Sequence, residues 1–375
     1  MLTYLHLKNV GLAPDVRVEW AERLSLIAGD NGLGKSFLLD LAWWALTRTW
    51  VGCVALPMTT KKASISYAVK GKGSVAKTIT SEFQRSDASW SLPQARPVMP
   101  GIVVYIRIDG GFSVWDPARN YWRTDPSRPA AYHFKADEVW NGLDVHGQWV
   151  CEGLERDWVS WQEGRKPQVR ALEKVLEVMS PALEPLRAGQ PQRVFIGEGR
   201  DRPTLLVGKQ TVPVALASAG VRRILALVYF LVWAWHEHAV AARLLGKRPE
   251  DRFVILFDEP ETHLHPRWQR TVLPSLFKAV DELRGKAGAP PQVMVATHAP
   301  LVAASIEPIF DAALDDLIHL SMKDGVVAID QGGWATQGDV TNWLVSETFG
   351  LEQARSKEAE EAIEAAEAFM RGEKN

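Results

Sequence analysis

The first residues able to do chemistry stand together: Gly29-Asp30-Asn31-Gly32-Leu33-Gly34-Lys35-Ser36. They fit the pattern G-x-x-x-x-G-K-[ST]. Glycines in such a run let backbone N–H groups turn toward a polyphosphate. The lysine reaches the β- and γ-phosphates, and the hydroxyl is placed to hold Mg²⁺. The expected nucleotide contacts are therefore Gly29, Asn31, Gly32, Gly34, Lys35, Ser36 and Phe37. Ser36 is also the expected metal ligand.

A second group lies far downstream. The apolar run Phe253-Val254-Ile255-Leu256-Phe257 ends in Asp258-Glu259. Asp258 at a strand end can anchor Mg²⁺ through water, and Glu259 can orient and polarise an attacking water. Further on, Val295-Ala296-Thr297-His298-Ala299-Pro300 reads as another strand ending in a histidine. His298 there can donate to a γ-phosphate and sense its loss. Lys35, Glu259 and His298 are thus the expected catalytic residues. Between these groups, Leu216-Ala217-Ser218-Ala219-Gly220 opens a long apolar helix. Ser218 and Gly220 offer a hydroxyl and bare backbone N–H groups, a second anion cradle.

These residues need a frame. Leu24 to Ala28 reads as a buried strand and Phe37 to Leu46 as an apolar helix, so the glycine loop falls at a helix N-terminus. Phe253 to Phe257 and Val293 to Ala296 are continuous apolar runs, the mark of a central parallel sheet. Ile102 to Ile108, Val194 to Ile196 and Thr204 to Val207 also read as strands. Alternation from Ala63 to Ser91 around Gly71-Lys72-Gly73 predicts a hairpin. Asp116 to Pro129 reads as a loop, and Val150 to Met179 as mostly helical. No long heptad array occurs. The expected organisation is an N-terminal lobe over 1–110, a middle helical insertion over 111–210, a second lobe over 211–340 and a helical tail over 341–375.

Bulk properties narrow the class. With 375 residues, 46% hydrophobic and 23% charged, the chain has the composition of a globular protein with a large core. A net charge of −2 gives no global basic field for nucleic acid. Cys53 and Cys151 form no metal or disulfide pattern, which suits a reducing cytoplasm. The N-terminus alternates like a strand and has no secretory pattern. The apolar run Ile224 to Trp235 is too short for a bilayer and reads as a buried helix, so no membrane partner is expected. The 16 tryptophans read either as core or as a base-stacking surface.

The order phosphate loop, Ser218 loop, Asp258-Glu259 strand, His298 loop resembles the ABC ATPases. Leu5-His6-Leu7-Lys8-Asn9-Val10, and Asp258-Glu259-Pro260-Glu261-Thr262-His263-Leu264-His265-Pro266, are similar to the SMC, RecF and OLD branch of that class. The resemblance implies an α/β fold: a central mixed or parallel sheet with flanking helices, an N-terminal antiparallel β-subdomain and a helical lobe. It implies ATP and Mg²⁺ as cofactors, and Gln84 as the glutamine that touches the metal. It also implies a homodimer or higher oligomer in which two ATP molecules are sandwiched head to tail. Ser218 of one copy would then face the γ-phosphate held by Lys35 and His298 of the other. Ala217, Ala219 and Val221 depart from the branch's signature loop, and His263 and His265 from the transporter pattern.

The chain looks like the stand-alone ATPase subunits of bacterial anti-phage systems of the Septu and retron-associated type. That implies a separate effector partner, a nuclease or toxin, with the segment from Trp343 through the Ala/Glu helix either docking it or merely solvated. Two other readings stand beside it. One is a RecF-like repair ATPase binding DNA through Arg187, Arg193, Arg200 and Arg202, which also read as scattered surface arginines. The other is a scaffold that holds ATP without hydrolysing it.

Overall fold

A computed structural model of the chain describes every residue except 12, 73–75, 94–96, 121–128, 184, 286–287, 352, 354 and 373–375. Its centre is an eight-stranded sheet. Across it run Val326–Gln331, Asp315–Lys323, Leu24–Gly29, Gln292–Ala296, Phe253–Asp258, Ile102–Ile106, Phe112–Trp115 and Tyr132–Phe134. The inner neighbours from Asp315–Lys323 to Ile102–Ile106 pair in parallel. The pairings at both margins are antiparallel.

The continuous apolar runs are explained by layers on both faces. Successive residues of a strand point to opposite sides. Phe253, Ile255 and Phe257 enter one core, while Val254 and Leu256 enter the other. The first core holds the helix Ala219–Leu244, whose stretch Ile224 to Ala234 is buried throughout. That helix has the length and apolarity to cross a bilayer, yet its apolar stretch Ile224 to Ala234 lies inside the protein. The second core holds the helix Lys35–Thr47. It is closed by an antiparallel sheet of Ala13–Glu19, Leu2–Val10, Ser64–Val69, Lys77–Gln84 and Ser89–Trp90. Trp43 and Trp44 are fully buried there, with Trp44 stacked on Trp50 at 5.2 Å, so these tryptophans are core.

The hairpin expected between Ala63 and Ser91 is present as Ser64–Val69 against Lys77–Gln84; residues 73–75 of its turn lie outside the described residues, as do 121–128 of the expected loop. Val194 to Ile196 forms no strand. Phe195 and Ile196 are exposed with no neighbouring strand, because the flanking Gln192–Arg202 bridge closes this segment into a loop. Ile102–Ile106 stops short of Ile108, since Arg107 N–H already bonds the Gly111 carbonyl in a tight turn. The chain then returns as Phe112–Trp115, a strand that the sequence reading omits. The central sheet therefore continues past residue 110 into the expected insertion. The rest of that segment carries the helices Leu154–Glu163 and Pro167–Met179 and a three-stranded sheet, Arg187–Ala188, Thr204–Val207 and Gln210–Pro213. Tyr229 of the long helix ties it down, donating to Asp157 Oδ2 at 2.7 Å and lying 2.9 Å from Cys151 Sγ.

Candidate functional site

Three parallel strands end side by side and lead to the residues expected to do the chemistry. Gln292–Ala296, which leads to His298, sits between Leu24–Gly29, which leads to the phosphate loop, and Phe253–Asp258. Residues far apart in sequence thus meet at the carboxyl edge of one sheet, where parallel sheets place their ligand crevices.

The loop is shaped by backbone that only glycine adopts readily. Gly32 and Gly34 have φ of 81° and 89°, and Gly34 stands at the N-cap of the helix Lys35–Thr47. Open space surrounds Gly32, with no heavy atom within 4 Å of where a Cβ would sit. Asn31 and Gly32 are exposed, Ser36 and Phe37 are half-buried, and the Phe37 ring lies against Gly11. Lys35 is buried, and its ammonium donates to the carbonyls of Gly29 at 2.7 Å and Asp30 at 2.9 Å. Burial lowers the Lys35 pKa, opposed by the carboxylates of Glu259, Glu261, Asp258 and Asp30.

Across the sheet edge, Ser36 Oγ donates to Asp258 Oδ1 at 3.0 Å. Burial pushes the Asp258 carboxyl up to about 6; the Ser36 hydrogen bond opposes the shift, and the charges of Glu259, Asp40 and Glu261 add to it. Asp40, one helical turn beyond Ser36, accepts from Tyr105 Oη at 3.0 Å. Glu259 occupies the left-handed region at φ 47°, and its N–H donates to the Ala296 carbonyl at 2.9 Å. A non-glycine residue held there is a strained conformation of the kind that gathers at functional sites. The His298 ring places Nδ1 3.3 Å from Glu259 Oε1 and 3.3 Å from Glu261 Oε1.

This cluster is short of positive charge. Four carboxylates, Asp258 among them held up by burial, act on Lys35, which already bonds its own loop. A hydroxyl and a carboxylate as adjacent hard oxygen donors suit Mg²⁺, which takes few protein ligands and fills the rest with water and phosphate oxygens. Ser36 and Asp258 therefore fit the metal, and the open glycine loop at the helix N-terminus fits a polyphosphate.

Gln84 is not brought to this pair. It ends a strand of the outer sheet, exposed and facing Ser89 in register, and makes no hydrogen bond with Ser36 or Asp258. The hairpin carrying it turns Ile79 and Phe83 into the core around the helix Lys35–Thr47 and leaves Gln84 outward. Ser218 and Gly220 also stand apart from the phosphate loop. Ser218 is exposed and caps the long helix, accepting from the Val221 N–H at 3.4 Å. A Cβ on Gly220 would come within 2.7 Å of the His263 carbonyl oxygen, so the two turns touch backbone to backbone. His265 caps the short helix Pro266–Gln269.

Sequence reasoning missed Glu261 and Thr297. Glu261 is 6% exposed and Thr297 fully buried. Glu261 Oε1 accepts from Thr297 Oγ1 at 2.8 Å and from the His298 N–H at 2.9 Å. The signal was a second acid two residues past Glu259, inside a stretch otherwise read for its turn. Of the four arginines considered for DNA, three are paired. Arg202 bonds Glu198 and Glu155, Arg193 bonds Asp201 at 2.8 Å, and Arg200 lies 3.8 Å from Glu155. Such pairing spends the charge that a phosphate patch requires.

Residues 161–303 match the family model described as an AAA ATPase domain. That range contains Asp258, Glu259 and His298 but not the phosphate loop, which the fold delivers from the first 40 residues. Among solved structures, the chain is similar to the SMC head domain from Thermotoga maritima. Identity is 15% with a TM-score of 0.42, covering 88% of this chain and 98% of that one. It is similar to the Smc head domain of Pyrococcus furiosus bound to the C-terminal domain of ScpA, at 11% identity and a TM-score of 0.43, covering 88% and 96%. It is similar to the recombination mediator protein RecF with ATP, at 12% identity and a TM-score of 0.41, covering 88% and 97%.

Proposed function

We propose that this chain is an ATPase of the SMC and RecF kind, which binds ATP with Mg²⁺ and hydrolyses it. The observation that carries the reading is the Ser36–Asp258 hydrogen bond of 3.0 Å, which joins the phosphate loop to the acidic strand end. Gly29, Gly32, Gly34, Lys35 and the backbone following Ser36 hold the phosphates. Ser36 and Asp258 hold the metal, which neutralises charge on the β- and γ-phosphates when bound. Glu259 takes a proton from water as the water oxygen bonds the γ-phosphorus and the bond to the bridging oxygen breaks, releasing ADP and phosphate. His298 donates to the terminal phosphate.

In this reading two copies close head to tail over the nucleotide, and Ser218 and Gly220 serve the partner's γ-phosphate. What supports it is that Ser218 is exposed at the N-terminus of the helix Ala219–Leu244. ATP then acts as a cross-link, and hydrolysis loosens it. The switch governs a separate effector protein, for which a nuclease is the proposed class. The terminal helix Lys357–Met370 supports a docking role, since it buries no residue and leaves Phe369 and Met370 exposed.

The test is mass in solution with and without Mg-ATP. Glu259→Gln is expected to form a dimer that persists with ATP, and Glu259→Gln combined with Ser218→Arg to remain monomeric. Monomers throughout, with ATP demonstrably bound, would remove the dimer from the proposal.

A further inference from the structure

Glu261 does more than its position in a turn requires. One of its oxygens, Oε1, takes the Thr297 hydroxyl at 2.8 Å and the His298 backbone N–H at 2.9 Å, and sits 3.3 Å from His298 Nδ1. The other, Oε2, is buried and has no hydrogen-bond partner. A carboxylate kept in the interior with an unused oxygen is costly, and a neutral side chain of the same shape would staple the two loops at lower cost. The staple alone therefore does not account for the charge.

That charge acts on Lys35 and Asp258 as well, but the cation-forming side chain it directly faces is the histidine. Nδ1 of His298 is flanked by Glu259 Oε1 and Glu261 Oε1, each at 3.3 Å. An imidazole nitrogen flanked by two carboxylate oxygens is the place for the ring's proton, and what that nitrogen faces sets the role of the other one. Nε2 is then left to face a ligand. With Nδ1 turned toward the carboxylates, Nε2 is the nitrogen able to meet a phosphate, and a carboxylate fixed behind the ring holds it in that orientation. With Glu261 in that role, Glu259 is not needed as the histidine's counter-charge and keeps its lone pairs for water. Remove Glu261, and Glu259 becomes the one carboxylate left on Nδ1.

We propose that Glu261 is a positioning residue: it holds the Nδ1 side of His298, presents Nε2 to the terminal phosphate, and releases Glu259 to act on water. The proposal rests on the ATPase reading, and its test separates the two. Wild type, Glu261→Gln, His298→Gln and the double variant are compared in ATP turnover, in KM for Mg-ATP, and in the ring ¹⁵N spectrum of histidine-labelled protein. The His298 signals are identified by their loss in His298→Gln.

Glu261→Gln retains an acceptor for Thr297 and the His298 N–H. It is expected to lower kcat roughly ten-fold or more with KM changed less than about three-fold, and to add nothing on the His298→Gln background. In the spectrum Nδ1 is expected to be protonated in wild type and to shift in Glu261→Gln. Glu261→Asp is expected to recover part of the loss. A kcat equal to wild type, an equal loss with and without His298, or an unmoved His298 signal overturns the proposal. If Glu261→Gln does not fold, Thr297→Val, which removes the hydroxyl orienting the same oxygen, is read by the same criteria. Wild type that neither binds nor turns over ATP sinks the functional reading instead, while the nitrogen spectrum still decides the Glu261–His298 pairing.

Discussion

Ser36 and Asp258 stand 222 residues apart in sequence and 3.0 Å apart in space. The contact exists because the strand leading to each lies one strand removed from the other, with Gln292–Ala296 between them. Replacing Ser36 with Ala removes one metal-facing oxygen and leaves a buried carboxylate without its donor. Ser36→Ala is expected to weaken Mg²⁺-dependent nucleotide binding ten-fold or more, by about 1.5 kcal/mol, while metal-free binding changes little. Calorimetric titration with and without Mg²⁺ checks this.

Lys35 provides the sharpest loss. Its ammonium bonds two carbonyls of its own loop, so in the nucleotide-free protein it also braces the turn. Lys35→Ala is expected to abolish ATP binding at millimolar nucleotide. Lys35→Arg is expected not to restore it, because a planar fork does not fill the place of a compact ammonium. Fluorescence anisotropy with a labelled ATP reads both; binding by Lys35→Ala within ten-fold of wild type would contradict the assignment.

The Asp258 carboxyl has a defined pH signature. Its pKa is raised to about 6 in the folded protein from 3.8. A raised carboxyl penalises the folded state while it is charged. The penalty is full above about pH 6 and fades as pH falls from about 6 toward 4, where the folded protein binds a proton that the unfolded chain does not. Asp258→Asn is therefore expected to be the more stable protein near pH 8 without nucleotide, by on the order of 1–3 kcal/mol, with the gap closing near pH 4. Melting temperatures across that range test it. The same variant is expected to lose Mg²⁺-dependent turnover.

Two glycines of one loop should respond differently to alanine. A Cβ on Gly29 would overlap the backbone carbonyl oxygen of Leu320, at a φ of 142°. Backbone cannot step aside cheaply, so Gly29→Ala is expected to lower stability by about 2 kcal/mol or more and to displace the loop. Gly32 faces open space, and its only penalty is φ of 81°, about 1 kcal/mol. Gly32→Ala is expected to fold normally and still bind ATP, more weakly. Thermal melts of the pair decide whether strain or collision dominates.

The parts of the site that sequence revealed are those tied to short-range spacing. The glycines, Lys35 and Ser36 are adjacent in the chain, and Asp258-Glu259 and His298 each follow an apolar run that could only be an interior strand. Glu261 escaped because its partners, Thr297 and His298, come from another strand end, and a buried acid looks like a solvated one in sequence. Gln84 was placed by resemblance, and nothing in its local residues tells that it faces out of its hairpin opposite Ser89. Val194 to Ile196 misled because three apolar residues make a strand only where a neighbouring strand accepts them. Phe112–Trp115 was hidden by the Gly110-Gly111 turn ahead of it, which ends one strand and begins the next.

The backbone touch between Gly220 and His263 leaves no room for a side chain at that crossing. The tip of the longest helix rests directly on the bend that follows the acidic strand, with no side chain between to cushion it. The position is thus closed to every residue but glycine unless the bend itself gives way, a few residues after Glu259 and Glu261.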